Sequence, residues 1–116
     1  MNRVGYKSLA LGCVLSLLGG HAVAGGTVTG TTITHIEAEP NGHFFFYLAK
    51  NISSSPACAL QPATGFVVDG TTAAGRIIVS LVQTAYSLGK TVNVAGPGTC
   101  SVHAGYEDVS DVYTTN

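Results

Sequence analysis

The chain of 116 residues has no tryptophan, one methionine, three cysteines and only five lysines and arginines. Each scarcity excludes something. A nucleic-acid partner needs a basic stripe to neutralise phosphates, and none exists here. An anionic membrane surface is a poor match for the same reason. There is no G-x-S-x-G. No C-x-x-C pairs the cysteines at metal-ligand or redox spacing. Gly96-Pro97-Gly98 is glycine-rich, but no helix follows to offer its N-terminus to a phosphate. The sequence therefore points to a non-catalytic protein with no cofactor.

What is present begins with an export leader over residues 1–24. Arg3 and Lys7 give a positive start, Ser8 to Gly20 is apolar and uncharged, and Ala22-Val23-Ala24 has the small-x-small pattern of a cleavage site. The apolar run is about 13 residues, against the roughly 20 a bilayer-spanning helix needs. A lipoprotein signal ending at Cys13 would want a large aliphatic residue where Ala10 stands. Cleavage after Ala24 leaves a single domain, residues 25–116, secreted or periplasmic and without a membrane span. At about 90 residues it lies near the lower limit for independent folding. Its bases are Lys50, Arg76 and Lys90; its acids are Glu37, Glu39, Asp69, Glu107, Asp108 and Asp111. The cysteines left are Cys58 and Cys100, and in an oxidising compartment they have one way to pair.

The element pattern is mostly β with one helix. Thr27 to Glu39 reads as a long strand, rich in Thr, Val and Ile. Asn41-Gly42 predicts a two-residue type I′ hairpin, with His43 to Lys50 returning as an apolar strand covered on both faces. That register puts Ile36, Ala38, Phe45 and Tyr47 on the core face. It leaves His35, Glu37, Glu39, Phe44, Phe46 and Leu48 on a partly buried face. A one-residue slip would exchange the two sets. Gly65 to Val68 is a third strand. Thr71 or Thr72 caps a helix over Ala73 to Leu88, whose stripe is Ile77, Ile78, Leu81, Val82, Ala85 and Leu88; Gly89 stops it. Thr91 to Ala95, Thr99 to His103 and Val109 to Tyr113 complete the strands. The order βββαββ fits a small five- to six-stranded barrel of the OB type, and equally a β-sandwich with a packed helix.

Val28-Thr29-Gly30-Thr31-Thr32-Ile33-Thr34-His35 resembles the first strand of the receptor-binding B subunits of subtilase-cytotoxin and typhoid-toxin type AB5 toxins. Ser80 through Val94 is similar to their helix, glycine turn and next strand. The resemblance covers most of Val28 to Gly98. It implies an OB-fold, export, a pentameric homo-oligomer, binding of a glycan or other cell-surface ligand, and a toxin A subunit as partner. Thr29 stands where the family has a serine that helps hold the sugar. Ala95 and Gly96 stand where it has two pocket-framing tyrosines, and its long aromatic C-terminal extension is missing.

Read from the residues, Thr29, His35 and Asn93 would supply the polar part of a sugar site if the fold gathers them. Phe44 and Phe46 are the candidates for a ligand-contact or oligomer face. No metal site is expected, because His35 and His43 fall on opposite faces and several rungs apart, and His103 reads as a surface residue. Glu107-Asp108 is the adjacent carboxylate pair, but neighbours on a strand point apart, which argues against paired acid–base work.

Overall fold

A computed structural model describes residues 25–61 and 63–115. The expected leader, residues 1–24, lies outside the described residues. The elements run β1 (Thr27–Ala38), β2 (His43–Leu48), β3 (Gly65–Asp69), α1 (Ala73–Leu88), β4 (Thr91–Ala95), β5 (Glu107–Asp108) and β6 (Asp111–Thr114). They form one sheet in the order β5-β3-β2-β1-β4-β6. β1 is long enough to serve two partners. Its first half pairs with β4, its second half with β2, and both ladders are antiparallel. Register shifts between Val28 and Thr31 and between Ile33 and His35 bend the strand between these roles.

The edges of the sheet meet in one chain segment. β5 runs parallel to β3, with Phe66 opposite Glu107. β6 runs antiparallel to β4, with Val94 opposite Val112. Only Val109 and Ser110 separate β5 from β6, so the sheet curls into an OB-fold-like barrel whose last strand is broken in two. The two-sheet sandwich is set aside by this single continuous sheet. α1 packs on β1, β3 and β6.

The core gathers Val28, Ile33, Phe44, Phe46, Leu48, Phe66, Val68, Val92, Val94 and Val112 beneath Val82 and Ala85 of α1. Phe46 and Phe66 face each other across the β2–β3 ladder with stacked rings. The helix matches its expected limits. Thr72 is the N-cap and accepts from the Gly75 N–H at 2.9 Å. Gly89 ends it in the left-handed conformation, φ 62°. Its buried stripe is narrower than its apolar one: Ile77 is 72% and Leu88 66% exposed.

The hairpin differs from the expected turn by one residue, and much follows from that. Ser54 is the only non-glycine residue with positive φ among those described. Asn41 therefore cannot occupy a type I′ turn. The loop has three residues, Pro40, Asn41 and Gly42. Gly42 N–H donates to the Glu39 carbonyl at 3.0 Å, and Glu39 N–H to the His43 carbonyl at 2.9 Å. Pro40 presets the first turn position, and Gly42, at φ 89°, absorbs the left-handed residue that follows. The ladder then sets Ile36 opposite Phe46 and Ala38 opposite Phe44.

Phe44, Phe46 and Leu48 accordingly join the core, at 5%, 0% and 2% exposure. This corrects the expectation that Phe44 and Phe46 offer a contact face: Phe46 has no surface to offer, and Phe44 keeps only a sliver. Phe45 and Tyr47 turn outward instead. Phe45 is nonetheless 3% exposed, so β2 is covered on both faces as expected.

The cover is the segment 99–106, irregular throughout, although a strand is expected over its first part, Thr99 to His103. Several donors of its first four residues go to a single carboxylate. Asp108 accepts from the Thr99 hydroxyl, the Ser101 N–H and hydroxyl, and the Val102 N–H. Local side-chain bonds of this kind compete directly with a ladder. The Cys58–Cys100 disulfide is formed and ties the same segment to the loop after β2.

Candidate functional site

Alternation along the hairpin places His35, Glu37 and Glu39 of the β1 side on the outer face, across from Tyr47, Phe45 and His43. The segment 99–106 lowers two more rings onto them. His103 and Tyr106 meet Phe45 edge-on, with centroids 5.1 and 4.8 Å away. His103 also lies 5.7 Å from His43. The Tyr47 and Tyr106 hydroxyls are 3.4 Å apart, and Tyr47 donates to Glu37 at 3.4 Å. Burial, then the contacts with Tyr106 and Glu37, push the Tyr47 pKa well above the ordinary tyrosine value, so it acts as a neutral hydrogen-bonding group. The hollow between Glu37, Glu39, Phe45, Tyr47, His103 and Tyr106 holds about 70 Å³. That is space for an ion or a few waters, not for a sugar ring.

A wider groove opens on the other side of the hairpin tip, between it and α1. It has a volume of about 410 Å³. Phe44 and Val79 give it apolar lining; Glu39, His43, Arg76, Ser80 and Gln83 give it donors and acceptors. Glu39 and His43 thus border the groove and also stand beside the outer-face rings. A third, shallow surface runs along α1 past Ile77, Leu81 and Thr84. A single helix lines it, so it is a patch and not a cleft.

The expected sugar-binding trio does not converge. Thr29 is exposed on β1, and its carbonyl accepts from Lys50 Nζ at 3.2 Å. Asn93 is close by, but its Oδ1 is committed to the Gly30 N–H at 2.6 Å, which pins the first β1 bulge. His35 is six residues further along the strand, about 20 Å away at strand rise. Its ring rests 5.3 Å from Tyr47.

The histidine expectation is corrected as well. In the observed register His35 and His43 share a face, four rungs or about 13 Å apart, so they still cannot meet at one metal. The partner of His43 is His103, with Glu39 beside both. Sequence spacing carried no signal for this, because the pairing depends on where the segment 99–106 lands.

Glu107 and Asp108 diverge as expected, and each holds backbone. Glu107, fully buried, accepts from the Gly26 N–H at 2.8 Å and the Gly98 N–H at 2.9 Å. Asp108 organises 99–102. Burial works against its charge, but the bonds from Ser101, Val102 and Thr99 outweigh it and lower its pKa below the ordinary value.

Among the described residues no helix is long and apolar enough to cross a membrane. No protein-family model matches the chain, and neither does any curated protein or solved structure.

Proposed function

We propose that the chain is an exported, non-catalytic binding module whose ligand seats in the groove between the β1–β2 hairpin tip and α1. The observation that carries this reading is the groove itself. Its volume of about 410 Å³ falls in the range of small-ligand sites, and its walls combine apolar side chains with converging polar ones. Export is supported by the leader pattern in residues 1–24 and by the Cys58–Cys100 disulfide, which belongs to oxidising compartments. A glycan is the ligand class indicated by the resemblance to AB5 B subunits.

A glycan array probed with the exported protein tests this, with Arg76→Ala, Gln83→Ala and Thr29→Ala run in parallel. The expected result is a glycan signal reduced by the first two substitutions and kept in Thr29→Ala. A signal sensitive only to Thr29→Ala would move the site to the first strand, where the resemblance places it. No signal at all would remove the glycan reading.

An interaction protein is the second reading, favoured by exposed Ile77 and Leu88 on the outward side of α1. These residues, not Phe44 and Phe46, would carry self-association into the pentameric ring that the resemblance implies, or contact with a toxin A subunit. Light scattering at tens of micromolar distinguishes the cases. A ring predicts a multiple of the chain mass that falls to monomer in Ile77→Asp. A monomeric wild type would set the ring aside.

A further inference from the structure

We infer that Glu39, His43 and His103 form a binding site for a borderline divalent cation, zinc above all. One ligand atom from each of the three lies within 4.8 Å of the others, and all three side chains are half-buried. Two imidazoles and a carboxylate make a donor set that suits zinc. Calcium and magnesium would want oxygens throughout. Three protein ligands leave a fourth position open to water or to a ligand.

The three side chains are held by their surroundings. Glu39 and His43 face each other at the closed end of the hairpin, with His43 Nδ1 3.8 Å from Glu39 Oε2. Asn41, inside the three-residue loop, fixes both. Its Oδ1 accepts from the His43 N–H at 2.9 Å, while its Nδ2 donates to Glu39 Oε2 at 3.1 Å and meets His43 Nδ1 at 3.3 Å. An amide nitrogen only donates, so the Nδ1 it meets is the acceptor, and an ion ligated there would take that lone pair in place of the Asn41 bond. His103 Nδ1 lies 2.9 Å from the Ala104 carbonyl. A carbonyl only accepts, so Nδ1 carries a proton, and in the neutral ring the lone pair is then on Nε2. A backbone bond such as the one His103 makes sets the tautomer of a metal-ligating histidine.

The third ligand arrives on a segment fixed independently. The Cys58–Cys100 disulfide and the Asp108 hydrogen bonds anchor 99–102, and the edge contacts of His103 and Tyr106 with Phe45 seat the rest. An ion here would clip that segment to the hairpin tip. This inference stands apart from the glycan reading, because the metal alone tests it.

The experiment is calorimetric titration of the tag-free exported protein with ZnCl2, with thermal unfolding measured in zinc and in EDTA. One ion per chain is expected, with a higher Tm in zinc that EDTA reverses. His43→Ala and His103→Ala should each weaken binding at least tenfold and abolish the Tm shift. Glu39→Gln should weaken it less, and His35→Ala, on the same face but outside the cluster, should leave it unchanged. Circular dichroism confirms that each variant is folded. CoCl2 in place of zinc should give the visible absorption of a nitrogen- and oxygen-ligated site, lost in His103→Ala. No stoichiometric binding by folded wild type, or binding that survives His43→Ala and His103→Ala together, would overturn the proposal.

Discussion

Glu107 Oε1 accepts from the backbone N–H of Gly26 at 2.8 Å, and Oε2 shares the same donor at 3.1 Å, joining the start of the described chain to the strand that closes the barrel. The carboxylate also takes the Gly98 N–H. No side chain intervenes at Gly26, where a Cβ would lie 2.5 Å from Glu107 Oε2. Truncating the acid leaves buried donors without a partner, at about 1–3 kcal/mol for the lost satisfaction. Glu107→Ala is expected to lower stability by about 3 kcal/mol in urea unfolding. Glu107→Gln should cost less, since its carbonyl oxygen still accepts. Unfolding midpoints equal to wild type in both variants would show the contact to be unimportant.

The disulfide closes a loop with a sequence separation of 42. On the chain-entropy account such a closure stabilises by about 4 kcal/mol, a large part of what a small domain has. Paired serine substitutions at Cys58 and Cys100, or reduction, should lower the urea midpoint by a corresponding amount. They should also loosen 99–106, visible as faster amide exchange there. Alkylation of freshly exported protein under non-reducing conditions should find both thiols blocked.

Acid should unfold the domain partly through Asp108. Its folded pKa lies below the ordinary aspartate value, so its contribution is complete above the unfolded value of about 3.9 and is lost as pH falls through the folded one. Asp69 has the same sign, lowered by the Thr71 hydroxyl and N–H. Tm should hold steady from neutral pH to about 4 and then fall. Asp108→Asn should start lower at neutral pH and fall less steeply in acid. Parallel profiles for the two proteins would contradict the assignment.

Gly42 has φ 89°, and a Cβ on it would come within 2.5 Å of Thr71 Cγ2. Gly42→Ala is therefore expected to cost about 1–2 kcal/mol for the left-handed backbone, plus displacement of Thr71. Because Glu39 and His43 flank this turn, zinc affinity should drop with stability. Calorimetry on the folded variant separates the two effects.

Export should leave a protein beginning at Gly25. Intact mass of material recovered from the periplasm or medium checks this. Retention of Met1, or a lipid on Cys13, would refute the leader as read.

Local features were legible because their causes are local. The helix from Ala73 to Leu88, its Thr72 cap and its Gly89 stop follow from residues within a turn of each end. Strand β4 and the pairing of Cys58 with Cys100 likewise needed no knowledge of distant contacts. The succession of elements fitted an OB-type barrel and a sandwich equally, and the single continuous sheet decided between them. The hairpin was legible in principle and misassigned in register: Asn41-Gly42 fits a two-residue turn, but Pro40 with Gly42 fits a three-residue loop, and the one-residue difference exchanged the faces of β2.

What only the tertiary structure decided is where irregular backbone goes. Thr99 to His103 has the composition of a strand, yet Asp108 takes donors of Thr99, Ser101 and Val102, and the disulfide fixes the path of the segment. That path brings His103 to Glu39 and His43, and Tyr106 to Tyr47. No periodicity encodes such meetings. They depend on two ladders, a bulged first strand and a covalent link acting together, and a side chain's partner across the fold is set by their sum.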